Sequence, residues 1–232
     1  MEHTRPLPSA LLSWSSVHAA LLLSAAAAVA AGAPLSLPSA CAAISFAALI
    51  YLCRGRWTPA GRFGAANAIT FMRLGGILAL PALDPFPLAC LALALVTLDG
   101  IDGWLARRSG LASEFGEYAD KESDALLVLM LCLLLYRLPA GPGAWILVPG
   151  LLRYLFVLFV AVARPPVAHE HRSVRAGWIS VLMILSLIAC FATYPAQLAY
   201  TSALAAAMTL LLCASFAEST CRMYRLDSVR AQ

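Results

Sequence analysis

LDGIDGWLARRSGLASEFGEYADKESDAL, residues 98–126, decides how this chain is read. It holds Asp99, Asp102, Asp120 and Asp124, four of the six aspartates in the 232-residue sequence. Seven of the twelve acidic residues fall between positions 99 and 124, with apolar sequence on both sides. Carboxylates crowded at the end of a membrane helix are costly unless a cation meets them. Hard divalent cations prefer carboxylate oxygen, so a metal pair is the natural counter-charge. Asp99 and Asp102 are three apart and share a helix face, which Gly103, Ala106 and Arg107 continue. Gly116, Asp120 and Asp124 are four apart and align on the next helix. With a short link through roughly 108–116, the two helices run antiparallel and their acidic faces meet at one end. Two metal ions there would neutralise the carboxylates and bind a diphosphate. The small residues Gly103, Ala106 and Gly116 leave room for a flat ring or phosphate against the backbone. The competing reading, two helices locked by Asp–Arg pairs, is an expensive way to pack helices.

Composition sets the surroundings. Apolar residues make up 62% of the chain and charged residues 12%, and the mean hydropathy is +0.82. This predicts an all-α polytopic membrane protein. Apolar runs predict helices near 15–31, 38–53, 68–83, 87–107, 119–137, 143–163, 176–193 and 197–216. With both termini cytoplasmic, thirteen of the sixteen basic residues fall inside, Arg137 falls outside, and Arg73 and Arg153 lie within helices. That bias puts the aspartate motif on the cytoplasmic face of a membrane, read as a bacterial inner membrane. The net charge of +4 is then an inner-face feature facing anionic headgroups, with no nucleic-acid partner implied. One rival reading takes Arg5, the following apolar run and AVAAGA as a secretory signal peptide. The seven cysteines form no C-x-x-C pair, and neither a disulfide framework nor a zinc site is read from them.

The one organisational break is RGRWTPAGRFGAAN, residues 54–67, basic and carrying Gly, Pro and Trp57. It divides residues 1–56, a two-helix membrane extension, from a six-helix body over 68–216, with 217–232 as a cytoplasmic tail. Residues 57–67 are expected to lie as an amphipathic segment on the membrane surface.

The motif D-x2-D-G-x2-A-R-x8-G-x3-D-x3-D, at Asp99, Asp102, Gly103, Ala106, Arg107, Gly116, Asp120 and Asp124, resembles the signature of the CDP-alcohol phosphotransferases. All eight positions match. The resemblance implies the six-helix core, with the first two helices an addition. It implies that Gly103, Ala106 and Gly116 hold the cytidine of a CDP donor and that Arg107 holds its diphosphate. Ser113 falls where many members carry Ser or Thr near the nucleotide. Asp99, Asp102 and Asp120 would hold Mg2+ or Mn2+, two ions in all. Asp124, itself a candidate ligand, would take the proton from an acceptor hydroxyl. Members often form homodimers.

Other elements resemble the family less sharply. Asn67, Thr70 and Arg73 in ANAITFMR are similar to an N-x-x-T-x-x-R opening of the first core helix, which makes Asn67 and Thr70 candidates for acceptor binding. The plainer alternative is a helix start capped by Asn67, with Arg73 snorkelling to the surface. Arg153, mid-helix, needs a partner or a wet cavity; acceptor binding and a structural ion pair are both open. Arg172 and Arg175, in a basic loop with Arg164, His169 and His171, are either an acceptor phosphate pocket or a topology signal. The expected function is transfer of a phosphatidyl group from CDP-diacylglycerol to a small hydroxyl acceptor, releasing CMP. Glycerol 3-phosphate is the first candidate, because DGWLARR and the later FG are similar to phosphatidylglycerophosphate synthases; inositol phosphate is next. Two readings compete. One exchanges the roles, with a soluble CDP-alcohol donor and a diacylglycerol acceptor. The other is a transporter or silent scaffold, disfavoured because polar residues gather at one face and no motif aspartate is lost.

Overall fold

The computed structural model describes residues 7–109, 113–163 and 174–230, with side chains outside the description at 7–8, 101–109, 174 and 222–230. Among the described residues there are eight α-helices and no strand. They are α1 (Leu7–Ala30), α2 (Ser36–Leu52), α3 (Ala65–Ala79), α4 (Pro85–Ser109), α5 (Glu114–Arg137), α6 (Leu147–Ala163), α7 (Val174–Ala192) and α8 (Leu198–Arg230). Each apolar run in the sequence became one helix. The largest shifts are at the two ends of the chain. Helix α1 begins at Leu7, and α8 continues through the expected tail to Arg230. Neither Gly nor Pro interrupts 198–230, so nothing stops the helix where its apolar composition ends. Residues 53–64 are a run of turns rather than a surface helix, with Gly55, Gly61 and Gly64 at positive φ.

Neighbouring helices pack as hairpins: α1 on α2, α3 on α4, α5 on α6 and α7 on α8. Helix α5 is the hub, touching α1, α2, α3, α6 and α7. Its run from Ala125 to Leu135 is apolar on every side and almost wholly buried, as expected of a helix surrounded by others. The outer helices instead show apolar side chains outward: Val162 is 84% exposed, Tyr200 81% and Leu210 72%. An apolar surface on this scale suits lipid, not water. Five helices are long and apolar enough to cross a membrane, and Ser36–Leu52 and Pro85–Gly100 are shorter apolar helices. The spans of α4 and α5 are shortened because each gives one end to the acidic motif. The protein is an all-α polytopic membrane protein.

Candidate active site

Three helices meet at the aspartates. Asp99 lies on α4, Asp120 and Asp124 in the N-terminal half of α5, and one carboxylate oxygen from each falls within 4.8 Å of the other two. At their centre is Arg73 of α3. Its Nη1 stands 2.6 Å from Asp99 Oδ1 and 3.1 Å from Asp120 Oδ1, and its Nη2 donates to Asp124 Oδ1 at 2.8 Å. Its Nε donates to the carbonyl of Leu95 at 3.2 Å. Helix α3 packs closely on α4 at Gly76, where a Cβ would lie 2.6 Å from a methyl of Leu95. Arg73 therefore does not snorkel. It is only 1% exposed, because three carboxylates on facing helices draw the guanidinium inward and its fork can serve several at once.

The three aspartates are about a third exposed, at 38%, 32% and 37%, so their outer oxygens remain open to a ligand. One guanidinium cannot balance three carboxylates. The remaining negative charge and the all-oxygen donor set fit a hard divalent cation. Asp102 falls on the described backbone of α4, but its side chain lies outside the described residues, as do those of Gly103, Ala106 and Arg107.

Beside this triad the loop before α3 is tied to the start of α5. Ser113 is the N-cap of α5, its Oγ accepting from Gly116 N at 3.1 Å while donating to the Trp57 carbonyl at 2.7 Å. Asn67 Nδ2 donates to the carbonyls of Trp57 and Phe63. It is buried inside α3, and the N-cap of that helix is Gly64, so the capping alternative for Asn67 is corrected. Thr70 Oγ1 donates to the Ala66 carbonyl at 3.2 Å. Gly116 has a packing reason to be small: a Cβ there would lie 2.8 Å from Asn67 Oδ1. Gly116→Ala is expected to cost about 1–3 kcal/mol through forced repacking. Thermal unfolding in detergent checks it; an unchanged Tm would mean Asn67 moves aside freely.

The remaining candidates are spread more widely. Arg153 on α6 donates through Nη2 to Glu122 Oε1 at 3.3 Å, so of its two readings the geometry displays the ion pair. Arg175, 78% exposed, pairs at 3.7 Å with Glu218 of α8. Arg172, with Arg164, His169 and His171, lies outside the described residues. Sequence reasoning missed the central place of Arg73 and the involvement of Ser15 and Glu122. An arginine within an otherwise apolar helix was the available signal for the first. For Glu122 the signal was its register: two residues from each motif aspartate, it cannot share their face.

Apolar helices surrounding an Asp-rich centre where three helices meet define an integral-membrane protein with carboxylates that could hold a metal ion. Residues 63–217, more than half of the chain, match the CDP-alcohol phosphatidyltransferase model, and the chain belongs to that family. Comparison with curated proteins and with solved structures returned no match. The family comprises metal-dependent membrane transferases of phospholipid biosynthesis, which use a CDP-alcohol donor and a hydroxyl acceptor.

Proposed function

We propose that this protein moves a phosphatidyl group from CDP-diacylglycerol to the hydroxyl of a small phosphorylated acceptor, glycerol 3-phosphate first and inositol phosphate next, with release of CMP. The convergence of Asp99, Asp120 and Asp124 within 4.8 Å, inside a complete family motif, carries the reading. Asp99, Asp102 and Asp120 would hold Mg2+ or Mn2+, two ions by the number of carboxylates. When bound, the metal polarises the diphosphate and takes up charge on the departing CMP. Asp124 accepts the proton of the acceptor hydroxyl, whose oxygen attacks the phosphorus bearing the lipid as the bond to CMP breaks. Arg107 holds the diphosphate, and Gly103 and Ala106 leave space for the cytidine. Ser113 and Gly116, tied to Trp57 and packed on Asn67, complete the candidate CDP contacts. Arg172 and Arg175 are the first candidates for the acceptor's phosphate, Arg175 being 78% exposed where Arg153 is held by the fully buried Glu122; Arg153, Asn67 and Thr70 are further candidates for acceptor binding. The basic-residue bias supports a site that, with both termini, faces the cytoplasm, and the membrane is read as a bacterial inner membrane.

The test is CMP release by the purified chain in lipid nanodiscs, with CDP-diacylglycerol and a panel of acceptors. Release dependent on glycerol 3-phosphate is the expected result. Release only with inositol phosphate would shift the acceptor, and release only with a non-phosphorylated alcohol would overturn the phosphate-recognising role of the basic loop. Activity confined to a soluble CDP-alcohol with diacylglycerol would reverse donor and acceptor.

A further inference from the structure

Glu122 belongs to the acidic stretch but not to the triad. It is two residues from Asp120 and two from Asp124, about 200° round the helix from each, and so points to the opposite side of α5. Its side chain is 0% exposed. Oε1 accepts from Ser15 Oγ of α1 at 2.8 Å and from Arg153 Nη2 of α6 at 3.3 Å. Oε2 has no hydrogen-bond partner among the described residues. Helix α5 has apolar contacts enough to pack without this charge, and a buried ion pair is weak evidence of stability. A directional contact in such a place is better suited to setting rotation and register.

Ser15 lies on a helix outside the matched residues 63–217. Helix α1 grips α5 a second time, where Arg137 Nη1 donates to the carbonyl of Val29 at 3.2 Å. Val29 is 14 residues beyond Ser15 and Arg137 is 15 beyond Glu122. The two helices therefore lie parallel, tied at two heights roughly 20 Å apart. On its other side α5 is held by Arg73 through Asp120 and Asp124. A rotation of about 20° at a radius of about 5 Å would carry those carboxylates more than ~1 Å. A misplacement of about 1 Å is enough to cost a reaction on the order of a hundredfold.

We infer that Glu122 is a positioning residue: held by Ser15 and Arg153, it fixes the rotation of α5 and so the aim of Asp120 and Asp124. Helix α1 is thereby a working part of the catalytic body, not an added anchor. The inference rests on the proposed function for its activity readout, so the test carries a second one. The full chain in nanodiscs is compared with Glu122→Gln, Ser15→Ala and Ser15→Thr, following CMP release and, by electron paramagnetic resonance, Mn2+ binding. Glu122→Gln should lower kcat roughly tenfold or more, leave the donor KM little changed, and raise the Mn2+ concentration for half-saturation. Ser15→Ala should move both in the same direction by less, and Ser15→Thr, which keeps the hydroxyl, should return both toward the starting values. If Glu122→Gln does not fold, the two Ser15 variants decide by the same readouts. Unaltered kcat and unaltered Mn2+ half-saturation, whatever the Tm does, would overturn the inference and leave the cluster as packing. If the unmodified chain released no CMP with any acceptor, the proposed function would fail, while Mn2+ half-saturation would still decide the role of Glu122.

Discussion

Asp120→Asn is expected to cut CMP release severely, and Asp99→Asn and Asp124→Asn to do the same. Each change replaces a carboxylate by a neutral amide in a cluster where one oxygen from each residue lies within 4.8 Å of the others. A hard cation loses both charge and a ligand atom there, and the neighbouring pair of carboxylates cannot reach round to replace it. The loss should be roughly a hundredfold to a thousandfold or more, the scale on which one preorganised electrostatic contact matters. Stability should respond quite differently. Removing one carboxylate from three facing a single guanidinium relieves repulsion, so the Asn variants should keep their Tm or gain slightly. The measurement pairs CMP release with thermal unfolding. EDTA should reproduce the activity loss in the unmodified chain, and full activity in EDTA would remove the metal from the proposal.

Arg73→Gln should produce the largest stability loss of any single change at the site. The guanidinium is 1% exposed and is the cation shared by Asp99, Asp120 and Asp124. Breaking a fully buried ion pair costs about 3–5 kcal/mol. These carboxylates are about a third exposed, which places the expected loss near the bottom of that range, about 3 kcal/mol, or roughly 10 °C in Tm. Adding Asp124→Asn to Arg73→Gln should recover part of the loss, because the two changes share one network and are not additive. Added Mg2+ should also raise the Tm of Arg73→Gln, replacing the lost positive charge. Arg73→Lys should fall between, since one ammonium cannot span three carboxylates as a fork does. An Arg73→Gln protein with unchanged Tm, in EDTA as in Mg2+, would mean the carboxylates are held apart by the fold without help from Arg73.

Much of this was legible in the chain itself. The eight apolar runs each became a helix, because in lipid an apolar segment of this length has no other way to satisfy its backbone. The pairing of Asp99 with Asp120 and Asp124 followed from helical spacing and a short link, which are local properties. The end of α8 was less legible, since no Gly or Pro marks where an apolar helix becomes a polar one; the start of α1 did carry a signal, Pro6 and Pro8, outside the apolar run. Residues 57–67 looked amphipathic, but Gly61 and Gly64 take positive φ, which no helix uses, and the Trp57 and Phe63 carbonyls are tied to Asn67 and Ser113.

What sequence alone determined, then, is the class of fold, the membrane setting and the aspartates that face one another, all consequences of period and composition along one or two helices. What only the tertiary structure decided is the partner of each buried charge. Arg73 finds the triad because α3 packs against both α4 and α5. Glu122 finds Ser15, 107 residues away in the chain, because α1 lies parallel to α5. Spacing within a helix states which face a charge is on; it carries no information about which other helix will lie against that face.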